Sequence, residues 1–197
     1  MIRLADIVLS LFGILFLSPL YLLISIWIKM DDKGPVFFNQ KRVGQHGVDF
    51  YLHKFRTMKT NSEHLGQLTV GGRDPRITKS GYLLRKFKID ELPQLFNVIK
   101  GEMSIVGPRP EVRKYTDQYS DEQRKVLDVK PGITDYASFT YVDESEILAQ
   151  AEDPEKAYVE EIMPAKIELN FVFIRNPTFY NYLKVIFLTI GKILGTR

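Results

Sequence analysis

The chain has 197 residues, 45% hydrophobic and 26% charged, which excludes wholesale disorder and suffices for one packed core. It contains no cysteine, which excludes disulfides, zinc–thiolate centres and thiol nucleophiles. Its formal charge of +3 is too small to point to nucleic acid, and none is expected as a partner.

The first predicted element is a membrane segment. Residues 7–28, IVLSLFGILFLSPLYLLISIWI, carry no charge over 22 residues, enough as a helix to cross about 30 Å of hydrocarbon. The run is too long for a secretory leader, and no small-x-small cleavage site follows it. Ser18-Pro19 sits in its middle. Proline there removes a backbone donor and kinks the helix, unless the freed carbonyl finds a hydroxyl or water. The segment's own physics favours a kinked spanning helix, with a re-entrant bend at Ser18-Pro19 as the alternative. Lys29, Lys33, Lys41 and Arg42 outnumber the single upstream Arg3, which predicts a cytoplasmic location for the rest of the chain.

Beyond it, a strand is predicted near Val36–Gln40, and VDFYLHKFRTM alternates well enough to form its hairpin partner. Residues 60–76 are polar and glycine-bearing and read as a mobile loop. ITKSGYLLRKFK reads as a helix with Leu83, Leu84 and Phe87 on one face. ELPQLFNVIKG reads as a second, with Leu92, Leu95, Phe96 and Ile99 at core spacing and Gly101 as its stop. EMSIVGPRPE is a short strand entering a proline-locked turn, residues 111–130 a charged helix, KPGIT a turn, and residues 143–168 an acidic helical stretch. The closing TFYNYLKVIFLTIGKILGTR has basic but no acidic residues, the pattern of an interfacial amphipathic helix or of one packed on the core.

Charge is divided along the chain. From Lys41 to Lys88 there are eleven Lys/Arg against three Asp/Glu, and from Glu111 to Glu161 fourteen acids against six bases. A basic half suits anions such as phosphates or a membrane surface. Within it, KIDELPQLF sets Asp90 and Glu91 side by side. As a helix start this places acids in the first turn, where they are favoured, beside proline, which is tolerated there. The same pair suits phosphoryl chemistry. A carboxylate can be the nucleophile, nearby arginines can hold phosphate oxygens, and a hard cation such as Mg²⁺ needs few protein oxygens. His46, His53 and His64 have no close acid partners and read as structural or solvent-facing.

KFRTM (54–58), DPRIT (74–78), LRKFKIDELPQLFNVIKGEMSIVGPRPE (84–111) and KPGIT (130–134) closely resemble the bacterial sugar transferase family of monotopic phosphoglycosyl transferases. The resemblance covers essentially the whole chain and looks like the small, catalytic-core-only form. It implies transfer of a phospho-sugar from a UDP-sugar to polyprenol phosphate, with release of UMP, at the cytoplasmic face of the bacterial inner membrane. It further implies that Asp90 is the nucleophile, that Glu91 is its partner in Mg²⁺ placement or proton removal, and that Mg²⁺ sits at this pair. Arg109, held between Pro108 and Pro110, is implied to meet the nucleotide, and Lys54, Arg56 and Arg85 to contact phosphate. Ser18-Pro19 matches the family's break, which makes a re-entrant helix and reverses the preference for spanning. After KPGIT the sequence DYASFTYVDES departs from the family's usual continuation, so no contact is carried over from that segment.

The resulting expectation is a helix-rich α/β (α+β) fold. It has a re-entrant membrane helix over 1–33, a cytoplasmic catalytic domain with a short hairpin over 34–178, and an amphipathic interfacial helix over 179–197. The oligomeric state is left open, a homodimer included. The competing function is a membrane-anchored scaffold that binds nucleotide-sugars without catalysis.

Overall fold

The computed structural model describes residues 1–60, 62, 68, 74–141 and 143–195. The N-terminal apolar run forms α1 (Ile2–Asp31), a single helix that continues through Pro19. Ser18 Oγ donates to the Leu15 carbonyl at 2.8 Å. That carbonyl is the one left without a donor by Pro19, so the hydroxyl offsets the cost of proline inside the helix. The helical hydrogen bonding is therefore continuous through Ser18-Pro19. α1 has Asp6, Ser10, Ile24 and Ile28 buried and Leu4, Phe12, Leu15, Phe16 and Leu23 exposed.

Both ends of α1 are fastened to the same body. Near its start, Arg3 donates to the carbonyls of Val98 and Ile99 at 2.7 and 3.2 Å. Buried Asp6 accepts hydrogen bonds from Ser104 Oγ, the Ile105 amide and the Tyr182 hydroxyl. At the far end, Asp31 Oδ2 accepts from the Ser80 amide and hydroxyl at 2.7 and 2.8 Å, and Asp32 pairs with Arg56.

The alternating segments form the predicted hairpin. β1 (Phe37–Val43) and β2 (Asp49–Phe55) pair antiparallel, from Phe37↔Phe55 to Val43↔Asp49. His46 and Gly47 make the reversal with φ of 57° and 74°. Phe50, Leu52 and Phe55 turn inward. The predicted loop over 60–76 and His64 lie largely outside the described residues.

α2 (Lys79–Lys86) is capped by Thr78, whose side chain accepts from the Gly81 amide. A Cβ at Gly81 would lie 2.0 Å from the Thr57 carbonyl oxygen, so only glycine lets the helix approach the chain just after β2 this closely. Only Leu84 of the predicted face is buried, while Leu83 and Phe87 are exposed. α3 (Gln94–Lys100) ends at Gly101, φ 89°, as the sequence predicts. Its apolar stripe is not a core face, however. Gln94, Asn97 and Val98 are the buried positions, while Leu92 packs toward Ile24 and Ile28, and Phe96 meets the Tyr21 ring edge-on. The stripe at core spacing is the seat of α1.

β3 (Ser104–Val106) pairs in parallel with β4 (Gly132–Thr134), through Ser104↔Gly132 and Val106↔Thr134. KPGIT is thus half turn and half strand. The expected charged helix over 111–130 is broken into α4 (Arg113–Thr116), α5 (Asp121–Arg124) and a final turn, because Ser120 and Gln123 form a capping box that starts a new helix. α6 (Tyr136–Thr140) and α7 (Glu144–Gln150) follow. Asp153 caps α8 (Pro154–Ala157), which runs through a wide π turn into α9 (Met163–Ile174). Tyr115, Leu148, Tyr158, Ile162, Ile167 and Phe171 build the main core, each such side chain stabilising by about 1.5–3 kcal/mol. α10 (Phe179–Gly195) packs on the domain through buried Tyr182 and Val185 and exposes Tyr180, Phe187 and Ile190.

Candidate active site

The GPRP turn and the start of β4 are joined by backbone hydrogen bonds: the Gly107 amide to the Thr134 carbonyl at 3.0 Å, and the Gly132 amide to the Pro108 carbonyl at 2.9 Å. Two glycines permit this. A Cβ on Gly132 would stand 2.1 Å from the Gly107 nitrogen, and one on Gly107 would stand 2.4 Å from the Lys130 oxygen. The Arg109 amide donates to Asp135 Oδ2 at 3.1 Å, and the Pro110 carbonyl accepts from Arg42 at 3.2 Å. With these backbone groups occupied and prolines on both sides, the Arg109 side chain leaves from a fixed point.

It reaches Glu91. Arg109 Nη2 lies 2.5 Å from Oε1 and Nη1 3.3 Å from Oε2, the two-pronged geometry that guanidinium favours. Lys54 Nζ approaches Oε1 from β2 at 3.5 Å. Glu91 is 8% exposed, and burial alone would raise its carboxyl, yet Arg109 and Lys54 hold it well below the usual range. The same guanidinium–carboxylate pairing raises Arg109. Burial lowers the Lys54 ammonium to about 8, against the opposing pull of Glu91.

Asp90 is in the opposite condition. Lys88 adopts a left-handed conformation, φ 57°, and begins one tight turn, Ile89–Glu91, that ends before α3. Asp90 therefore does not cap α3, contrary to the helix-start reading, because the helix forms a turn later behind Pro93. Its carboxylate is 7% exposed, and Oδ1 is buried without a hydrogen-bond partner among the described residues. Burial first, then the negative charge of Glu91, push its carboxyl up, while Lys54, Arg85 and Lys88 pull it down.

All these groups line one cavity of about 1090 Å³. Its floor carries Asp90 and Glu91, with Lys54, Arg85, Lys88 and Arg109 as the cations around them. Arg56 lines the same cavity, but its guanidinium is committed to Asp32 and to the carbonyls of Asp32 and Pro35. It fastens β2 to the end of α1 rather than standing ready for a phosphate. Lys88 and Asp135 were not singled out from sequence. The flanking cations of KIDELPQLF signalled the first, and the Asp-x-x-Ser cap spacing after KPGIT signalled the second.

The donor set also bears on a metal. Among the described residues no three His, Asp or Glu side chains converge on a metal site. Asp90 Oδ1 is an open hard ligand, whereas both oxygens of Glu91 face cations. This fits Mg²⁺ bound through one carboxylate with substrate phosphates and water completing its shell.

The bacterial sugar transferase family model matches residues 1–196. The chain is similar, at 39% identity over 194 residues, to the UDP-N-acetylgalactosamine-undecaprenyl-phosphate N-acetylgalactosaminephosphotransferase of Aeromonas hydrophila, covering 96% of this chain and 42% of that one. It is 36% identical over 200 residues to the UDP-glucose:undecaprenyl-phosphate glucose-1-phosphate transferase of Xanthomonas campestris pv. campestris, covering 98% and 39%. The chain thus spans about two fifths of the length of these two relatives. It is also 38% identical over 192 residues to the uncharacterized sugar transferase EpsL of Bacillus subtilis, covering 98% and 86%. The chain belongs to the bacterial sugar transferase family.

Proposed function

We propose that this protein transfers a sugar 1-phosphate from a UDP-sugar to polyprenol phosphate through a covalent intermediate on Asp90, starting glycoconjugate assembly. The observation that carries this reading is the buried oxygen of Asp90, unpartnered among the described residues, beside a Glu91 whose charge is already neutralised. A carboxylate oxygen with no partner is available to form a bond, while its neighbour holds the surrounding cations in place.

In the first step Asp90 attacks the sugar-bearing phosphorus. The Asp90 O–P bond forms, the bond to the bridging oxygen breaks, and UMP leaves with that oxygen. In the second step an oxygen of polyprenol phosphate attacks the same phosphorus, forming a lipid-linked diphosphate sugar and releasing the Asp90 carboxylate. Arg109, Lys54 and Arg85 stabilise the charge on phosphate oxygens in both steps, a role supported by their lining the same cavity as Asp90. Magnesium, when bound at Asp90, supplies charge neutralisation on the diphosphate. Incubation with a UDP-sugar alone is expected to release UMP in a burst of one equivalent and leave a phospho-sugar mass on the protein. Continuous turnover should require polyprenol phosphate. UMP release at a steady rate without lipid would mark a hydrolase, and no release at all a non-catalytic binder.

The contacts of α1 also support a membrane arrangement. From Arg3 to Asp31 the helix extends about 42 Å, yet residues at both ends bond to the same domain. A helix crossing the bilayer would carry Arg3 and Asp6 to the opposite face. We therefore place α1 in one leaflet, its exposed apolar face in lipid and the cavity at the cytoplasmic headgroup level, where a water-soluble nucleotide-sugar and a lipid phosphate meet. Single cysteines at Ile2 and Lys33, in a chain with none of its own, should both react with a membrane-impermeant maleimide only from the cytoplasmic side. Labelling of position 2 from outside would establish a spanning helix.

A further inference from the structure

Asp135 makes two connections that fix a second wall of the cavity. Its Oδ2 accepts from the Arg109 amide at 3.1 Å, and its Oδ1 caps α6 by accepting from the Ser138 amide at 2.5 Å. The start of α6 is therefore tied to the turn that aims Arg109 at Glu91. The helices that follow carry Ser138, Tyr141 and Ser145 onto the wall of the cavity that holds Asp90.

These three hydroxyls make no hydrogen bond among the described residues. Other hydroxyls nearby do: Thr134 Oγ1 pairs with Thr189 at 2.5 Å, and Thr140 donates to the Tyr136 carbonyl at 3.0 Å. Beside them Glu144 is held by Lys166 at 2.7 Å, so the wall offers neutral hydroxyls and an ion pair whose charge is balanced. The same cavity is cationic around Asp90, through Lys54, Arg85 and Lys88.

A nucleotide-sugar has the same division. Its diphosphate is anionic, and its sugar is a ring of neutral donors and acceptors attached directly to the attacked phosphorus. With that phosphorus at Asp90 and the diphosphate against the cations, the sugar falls to the hydroxyl wall. We propose that Ser138, Tyr141 and Ser145 bind the hydroxyl groups of the transferred sugar and determine which sugar is accepted. The assignment rests on the UDP-sugar reading above. Neutral groups discriminate by where a hydroxyl stands on the ring, and a site built to hydrogen-bond a hydroxyl strongly rejects the analogue that lacks or misplaces it.

The test uses the full chain with UDP-glucose, UDP-galactose and their two N-acetylamino counterparts, following UMP release. The quantity of interest is the ratio of kcat/KM between the best and second-best sugar. Tyr141→Phe keeps the ring that packs against the main core and removes only the hydroxyl. It is expected to cut that ratio about tenfold. The combination Ser138→Ala, Tyr141→Phe, Ser145→Ala should cut it further, with product inhibition by UMP unchanged in every variant. A ratio within about twofold of wild type in the triple variant overturns the assignment whatever the overall rate. So does weakened UMP inhibition at an unchanged ratio, which would move these hydroxyls to the nucleotide. A wild-type chain that releases UMP from no member of the panel overturns the donor reading itself, an outcome distinct from both.

Discussion

The Asp90→Asn variant is expected to fold at least as well as wild type, yet to form no phospho-sugar adduct and to lose UMP release by about 10³-fold or more, as removal of a nucleophile does. The two halves of this expectation have one cause. Asp90 is 7% exposed, with one buried oxygen unpartnered among the described residues and a second carboxylate adjacent. An amide of the same shape removes the like-charge repulsion and the cost of burying an ionised group, so stability holds or rises while the nucleophile is gone. Residual turnover above that level, with an intact melting transition, would rule out the covalent route.

The pH profile of the UMP burst tests the same arrangement. Asp90 must be ionised to attack, and burial and Glu91 raise its carboxyl. The burst should therefore fall as pH decreases through a midpoint above the ordinary aspartate value of about 4. On the alkaline side Lys54, lowered to about 8, loses its charge as pH rises. The rate should decline there too, and Lys54→Arg should move that decline to higher pH because guanidinium stays protonated. An acid midpoint at or below about 4 would contradict the first assignment, and the absence of any decline up to about pH 10 the second.

What the sequence made legible was local. Alternation gave the hairpin, Gly101 the end of α3, and the uncharged run of residues 7–28 the long first helix. Partners far along the chain left no local trace. Arg56 and Arg109 are the same residue type in equally basic surroundings, but Asp32 engages one and Glu91 the other. The stripe of Leu92, Leu95 and Phe96 has core spacing because α1 covers it, and α1 shows no polar face to say which side is covered. β4 is three residues long and parallel, too short for any period to show. The adjacent carboxylates were found by motif, whereas their unequal condition depends on Lys54 and Arg109 arriving from other elements.

That inequality makes Glu91→Gln the more informative variant. If Glu91 were chiefly a base or a metal ligand, glutamine would impair the rate and leave the fold alone. The geometry argues for a different primary role, since Arg109 bonds both carboxylate oxygens and Lys54 approaches one of them. Glutamine leaves two buried cations facing a neutral amide, and breaking such a pair costs about 3–5 kcal/mol. Lys54 can shed its proton and relieve part of this, so the cost should fall near the lower end. For a chain of this size about 3 kcal/mol corresponds to a fall of roughly 6–12 °C in apparent Tm. Glu91→Gln combined with Arg109→Gln removes both members of the closest pair and should recover most of that loss while remaining inactive. Any residual burst in the single variant should have its acid limb at lower pH, because the charge that helps raise Asp90 is gone. An unchanged Tm in the single variant, or a double variant less stable than either single one, would return Glu91 to the role of base or metal ligand. Two neighbouring carboxylates can thus divide the work of one site: cations fix the first in its charged form, and that charge, with burial, keeps the second poised to react.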